Sequence, residues 1–536
     1  RRYLPRSNVL ETTFRCDGGG VLRLTDCMPL PGEPTGEMQT ARELDPEHEV
    51  LRRLECTAGE VDVEIEFAPR PGYGARRTGF RDCGKLGWQL TGCPFGAFLQ
   101  TDIPLRSDSA ILRGSARLRA GDVRWCSFAY DQAEASVLPP LGEWAQRRLE
   151  DTAGWWRWWT GRCHYEGEYG EQVLRSALAL KMLASATSGA VLAAPTTSLP
   201  EALGGERNWD YRFCWIRDSA LVLHAFLSLG FVEEGEGFLG WLLHATRLTW
   251  PRLQVMYDLY GETRLKEKEV GHLCGYRDSR PVRIGNAAHE QLQLDIYGEL
   301  IATVAQYVDA GGELDGTERR MVRGLGRSVC QLWRQPDHGI WETRGPPRHH
   351  TYSKGMCWVA LDRLLRLGLG DDQMERERGA IRAQIEQHGF NQRLDGYVGY
   401  YDGEDPDAAL LLLARHGYQP PAHPRMQGTW NLIRERLSRD GLLQRYPLDT
   451  GYDGVRGGEN AFAPCTFWAA EYLANLGRRD EAREIFERLL GCANDVGLYA
   501  EEIVPESGEP IGNFPQAFSH VSMISAATAL TVEKTA

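Results

Sequence analysis

The apolar residues of this 536-residue chain change their spacing once, and that change limits the fold more than any other feature. Up to about residue 138 the period is two. Val21 to Asp26, Val61 to Phe67 and Val123 to Phe128 alternate in whole or in part, and Gly and Pro clusters (Gly18 to Gly20, Pro69 to Gly74) punctuate them. Residues 1–138 are therefore expected to be antiparallel strands packed as a β-sandwich. From about residue 168 to 536 the period is 3.6. Twelve helical segments are predicted, at 170–187, 217–230, 233–248, 288–309, 316–334, 353–367, 374–388, 405–415, 425–439, 460–476, 480–493 and 516–531. Asp405 before Pro406 reads as an N-cap with proline at the first helical position, and Asp480 as the cap of the segment carrying Phe486 and Leu489. Between the two regimes, residues 139–167 hold Pro139, Pro140 and the run Trp155 Trp156 Arg157 Trp158 Trp159. This stretch reads as a linker helix whose indoles pack between the halves.

The connections are more telling than the helices. Those between segments 2–3, 4–5, 6–7, 8–9 and 10–11 are short, whereas the other six are long and rich in Trp, Tyr, Asp, Glu, Arg and Gly. Strict alternation puts every long loop at the same end of an up-down array. Six hairpins closing into a ring give a mainly α fold, an (α/α)6 double barrel with six loops at one mouth, and function is expected there.

Composition excludes other classes. With 61 Lys+Arg against 74 Asp+Glu the net charge is -13, which argues against nucleic acid or an anionic membrane as partner. No run of about 18 apolar residues is present, so no spanning helix is expected. The thirteen cysteines are scattered without a C-x-x-C pair, which predicts free thiols in a reducing cytoplasm and no zinc site. The chain opens on Arg1 Arg2 Tyr3 without Met or a signal-peptide core, and reads as N-terminally incomplete. No cofactor is implied, and a homo-oligomer is compatible with the composition.

The first long loop carries Glu201, Glu206, Arg207, Trp209, Asp210, Tyr211, Trp215, Arg217 and Asp218. This is too polar for a core and too aromatic for a plain solvent loop. Sugars ask for both features, aromatic faces for their C–H surfaces and charged groups for their hydroxyls. The third loop holds Tyr276, Arg283 and Asn286, the fifth Trp341 and Glu342, the ninth Arg445 and Tyr446, and the eleventh Glu501 and Glu502. A carboxyl behind an indole in a Gly/Pro-bounded loop qualifies as a general acid, because an apolar neighbour favours its protonated form. Carboxylates across a wide mouth would stand several ångströms apart, and inverting glycosidases need roughly 6.5–9.5 Å to admit a water. No nucleophile elbow, Walker loop or dinucleotide fingerprint competes. Composition does not choose between Glu501 and Glu502.

These loops resemble glycoside hydrolase family 15, the glucoamylases, glucodextranases and prokaryotic trehalases, over nearly the whole chain. The resemblance rests on Asn208 to Arg212 with Trp215 to Asp218, Gly275 to Arg277 and Arg283 to Asn286. Gly339 to Glu342 with Pro346 to Arg348, and Tyr499 to Glu502 with Asn513 to Phe518, complete it. It implies that Glu342 is the general acid and Glu501 the base that activates water. Arg217 and Asp218 would grip the non-reducing glucose, and Arg445 and Tyr446 would line the next subsite. Trp209, Asp210, Tyr211, Trp215, Tyr276, Arg283, Asn286, Trp341 and Glu502 are expected around the substrate. Thr343 stands where fungal glucoamylases have a second Glu, so recognition of the leaving sugar differs. The expected activity is inverting, exo-acting hydrolysis of an α-glucan or α-glucosyl disaccharide with release of β-glucose, the alternative being an α,α-trehalase. Having both Glu342 and Glu501 argues against a phosphorylase and against a non-catalytic carbohydrate-binding protein.

Overall fold

A computed structural model describes residues 1–30, 48–131, 139–448, 451–455 and 457–531. It divides into two compact units, Arg1–Arg162 and Cys163–Ala536. The sequence-derived boundary at residue 138 lies outside the described residues.

The first unit is antiparallel throughout. Its strands are β1 (Arg2–Tyr3), β2 (Leu10–Arg15), β3 (Val21–Cys27), β4 (Glu49–Ala58), β5 (Glu60–Phe67), β6 (Gly79–Asp82), β7 (Trp88–Thr91), β8 (Gly96–Thr101), β9 (Leu105–Asp108), β10 (Ile111–Arg119) and β11 (Val123–Asp131). They form an eight-stranded sheet of order β1-β2-β3-β4-β11-β8-β7-β6 and a three-stranded sheet β5-β10-β9. Alternation decides the faces. Val61 and Val63 of β5 are buried, while Asp62 points outward to pair with Arg117 of β10, directly opposite, at 2.7 Å. Val61, Val63 and Leu118 share an apolar cluster with Leu22, Leu54 and Cys56 of the larger sheet, so the two sheets are layered.

The Trp-rich segment is helical, as its sequence predicts. It forms α1 (Glu143–Thr160), which groups with the first unit. Ala145, Leu149 and Ala153 recur every four residues and pack on Cys27, Leu51 and Trp125 of the sheet and on Val9, just before β2.

The second unit is helical: α2 (Gly170–Leu183), α3 (Ile216–Ser228), α4 (Val232–Ala245), α5 (Asp295–Asp309), α6 (Gly316–Leu332), α7 (Thr351–Arg366), α8 (Asp372–Gln384), α9 (Leu412–Arg415), α10 (Pro424–Leu437), α11 (Ala463–Leu476), α12 (Arg479–Leu490) and α13 (Ala517–Thr531). Thirteen α-helices are thus seen among the described residues, one of them in the first unit. Helix α3 packs on α5, α5 on α7, α7 on α9, α9 on α11, α11 on α13, and α13 on α3. Helix α6 starts with a reciprocal cap, in which Asp315 accepts from the N–H groups of Thr317 and Glu318 while Glu318 accepts from that of Asp315.

Most boundaries differ from the sequence reading by a few residues, and three differences have a local cause. The segment expected from 288 becomes helical only at Asp295; before it lie a 3₁₀ turn (Ala287–Glu290) and an extended stretch. The cap near 405 is Asp407, which accepts from the N–H of Ala409, while Asp405 accepts from the Tyr400 hydroxyl. Asp480 lies in the first turn of α12 instead of capping it. No helix among the described residues is long and apolar enough to cross a membrane.

Candidate active site

The long loops of the second unit enclose a cavity of about 700 Å³. Its walls include Trp209, Tyr211, Trp215, Arg217, Asp218, Asn286, Trp341, Glu342, Arg445 and Tyr446 from the sequence-derived set, brought together from four loops.

Glu342 is held from several sides. Its Oε1 accepts from Trp215 Nε1 at 2.6 Å, Gln293 Nε2 at 3.2 Å and an Arg217 guanidinium nitrogen at 3.4 Å. Among the described residues no donor reaches Oε2. The Glu342 backbone has φ +56°, a left-handed conformation unusual for a residue with a side chain, and such strain concentrates at functional sites. The strand Cys214–Trp215, paired with Met256–Tyr257, runs straight into α3 and so sets Trp215, Arg217 and Asp218 side by side at the helix start.

Arg217 is buried and also bonds Gln293 Oε1 at 2.9 Å and Asp295 Oδ2 at 3.0 Å. Asp218, 3.6 Å from Arg217 Nε, accepts no hydrogen bond at its buried Oδ1 although it lines the cavity. Burial pushes its carboxyl up to about 7 against the pull of Arg217. An acceptor left without a protein donor on a cavity wall is suited to a ligand hydroxyl.

Glu501 is completely buried and lies behind the wall rather than in it. Its Oε1 accepts from the Tyr211 hydroxyl at 2.5 Å and its Oε2 from the Asn513 N–H at 3.3 Å. Burial, with Glu201 adding to it, raises its carboxyl to about 8; Arg445 and the Tyr211 hydroxyl pull the other way. Gly512 leaves the room. A Cβ there would come within 2.9 Å of the Glu501 side chain, and its φ of +85° suits only glycine well.

Arg445 is the centre of an acidic cluster. It bonds Glu459 Oε1 at 2.9 Å, Glu459 Oε2 at 2.5 Å and Glu201 Oε2 at 2.9 Å, and lies 3.6 Å from Glu502 Oε1. Carboxylate oxygens of Glu201, Glu459 and Glu502 lie within 4.8 Å of one another. The guanidinium fills the point where they converge, so the group is an ion-pair network and not a vacant metal site. Arg207 joins it through Asp453 at 2.5 Å and Glu459 at 3.3 Å, and Tyr446 donates to Asp453 at 2.9 Å. Trp341 donates to Asp407 at 2.9 Å.

Several expected substrate residues stand elsewhere. Tyr276 is half exposed and off the cavity wall. Asp210 pairs with Arg212 at 2.9 Å and accepts from the Gly285 N–H, which is a loop brace. Arg283 lies over the Trp209 ring at 4.5 Å and donates to the carbonyls of Glu206 and Asn208. Glu502 accepts from the Asn460 N–H behind the wall. Arg344, over Trp209 at 4.7 Å and paired with Glu267 at 3.3 Å, lines the cavity without having been expected there, as do Glu201, Arg207 and Asp453.

Cavity, carboxylates and fold describe a hydrolase of O-glycosyl bonds, and the comparisons bear this out. Residues 167–528 match glycosyl hydrolases family 15, and the chain belongs to that family. A trehalase of Thermoplasma volcanium is 36% identical over 98% of this chain and 83% of its own length. One from Mycolicibacterium smegmatis is 34% identical over 98% and 81%. A bacterial glucoamylase solved with acarbose superposes with a TM-score of 0.75 over 99% of this chain and 85% of its own, at 12% identity, and so speaks for the fold alone.

Proposed function

We propose that the protein is an inverting α-glucoside hydrolase whose substrate is α,α-trehalose, in preference to the longer glucans of a glucoamylase. The observation that carries the chemistry is Glu342. Three N–H donors occupy Oε1, which confines the acidic proton to Oε2, the oxygen left to the cavity. From there it passes to the glycosidic oxygen as the bond to the anomeric carbon breaks. Glu501, oriented by Tyr211 and Asn513, takes a proton from a water that attacks the opposite face, a step that requires its carboxylate to open to the cavity from its place behind the wall. Arg217 and Asp218 hold the hydroxyls of the glucose undergoing attack. Solvent exchange then returns the proton to Glu342. The choice of trehalose is supported by relatives that carry that name and align with nearly all of this chain.

The packing order α3-α5-α7-α9-α11-α13-α3 supports a closed inner ring, with α2, α4, α6, α8, α10 and α12 outside it, the arrangement of an (α/α)6 double barrel. The thirteen free cysteines support a reducing, cytoplasmic setting.

Glu342→Gln and Glu501→Gln test the roles. Loss of the acid should abolish trehalose hydrolysis but spare part of the activity on α-glucosyl fluoride, whose leaving group needs little protonation. Loss of the base should reduce both, by about 10²–10⁴-fold. The reverse pattern would exchange the two roles. Full activity in both variants would move the site elsewhere, and turnover of maltose or starch above trehalose would overturn the substrate.

A further inference from the structure

Away from the catalytic cavity, a second concavity of about 1290 Å³ opens on the outer face of α6. Arg320, Arg323 and Arg327 recur there at i, i+3 and i+7, so they leave the helix on one side and cover about 10 Å of its axis. Arg247, from the turn that follows α4, adds a fourth guanidinium. All four side chains are exposed, and no carboxylate lines the concavity among the described residues.

These charges are poorly compensated. Arg323 lies 3.8 Å from Asp371, and Arg320 reaches the Thr317 hydroxyl at 3.0 Å. Arg247 and Arg327 have neither a hydrogen bond nor an ion pair among the described residues. Glu318, the nearest acidic residue on the helix, is spent in the cap. Elsewhere the exposed helices alternate in sign: on α8 Arg378 pairs with Asp362 and lies near Glu375, and at the start of α12 Arg478 pairs with Glu481. A groove of one sign on a chain of net charge -13 is a different design.

Trp250 shares the groove and is 45% exposed. It rests on bare backbone, because a Cβ at Gly324 would come within 2.6 Å of its Cζ2. The Ser328 hydroxyl donates to the Pro251 carbonyl at 2.7 Å and ties this turn to α6. An indole held on the helix backbone and four exposed guanidiniums thus share one concave surface.

We propose that this groove binds a nucleoside triphosphate. Guanidiniums match phosphoryl oxygens in charge and in forked geometry, and an exposed indole offers a stacking face for a base. The site is independent of the glycosidase reading.

Isothermal titration of the full chain with ATP, inorganic triphosphate and adenosine tests it. Saturable one-to-one binding of ATP is expected, weaker binding of triphosphate and none of adenosine. R320E/R327E should weaken ATP by at least tenfold with unchanged trehalose kinetics, and Trp250→Ala should bring ATP down to the level of triphosphate. Absence of saturable ATP binding, or an unchanged Kd in R320E/R327E, would overturn the proposal. Equal affinity for ATP and triphosphate in the unmodified chain would overturn the nucleotide assignment.

Discussion

Glu501 is a carboxyl that burial keeps protonated and the proposed reaction requires ionised. Its neighbours set the balance: Glu201 and Glu502 oppose ionisation, while Arg445, the Tyr211 hydroxyl and the Asn513 N–H favour it. The acidic limb of the kcat/KM profile should therefore move in opposite directions in two variants. Tyr211→Phe removes a donor to the carboxylate, raises its pKa and shifts the limb to higher pH. Glu201→Gln removes a negative neighbour and shifts it to lower pH. A pH-rate series that moves the same way in both, or in neither, would remove Glu501 from the base role. Asp218→Asn should lower kcat/KM by about 10–100-fold through loss of a charged hydrogen bond of about 1.5–3 kcal/mol. Unchanged kinetics in that folded variant would make the loop structural. Most of this site was legible in residue types, because Trp, Arg and Asp packed into one loop have few structural uses. Glu201 and Glu459 were harder to find. A carboxylate that serves by neutralising Arg445 looks, in a sequence, like any loop charge. Gln293 did leave a signal, since Gln291, Gln293 and Asp295 alternate with Leu292 and Leu294, the mark of an extended stretch with one polar side.

That alternation was hidden because the helical spacing of α5 runs on from it. The observed boundary places Gln293, just before the helix, and Asp295, its first residue, both on Arg217. Periodicity located the long amphipathic helices to within a few residues, since a buried stripe leaves no choice. It failed for caps, where one hydrogen bond chooses among neighbouring aspartates, as with Asp407 over Asp405. The reciprocal cap of α6 gives a test remote from chemistry. Asp315→Ala should cost about 1 kcal/mol in urea unfolding and leave trehalose kinetics unchanged. A loss above about 3 kcal/mol would mean that Asp315 does more than end a helix.

For the whole molecule, five buried carboxyls in and behind the cavity wall have folded-state pKa values above their usual ones. Burial leads in every case: Asp218 and Glu201 rise to about 7, Asp295 and Asp407 to about 6, and Glu501 to about 8. The unfolded chain ionises these groups near pH 4, whereas the folded chain does so only between about pH 6 and 8. The unfolded state thus releases protons first as pH rises, and stability falls across that window. Burial lowers the pKa values of His224, His350 and His520, which act in the opposite sense below about pH 7, so the fall should show above it. Tm should drop between about pH 7 and pH 8, and less steeply in Glu201→Gln; a Tm that climbs across that interval would contradict these shifts. Cleavage of trehalose tests the central claim most directly, because its two glucoses carry different histories. Inversion yields equal initial amounts of β-glucose, from the attacked ring, and α-glucose, from the leaving ring, and ¹⁸O from labelled water enters only the β-anomer. Proton NMR and mass spectrometry in the first minutes, before mutarotation, are expected to find that pattern. Release of α-glucose alone, or label in the α-anomer, would contradict the two-carboxylate inverting mechanism.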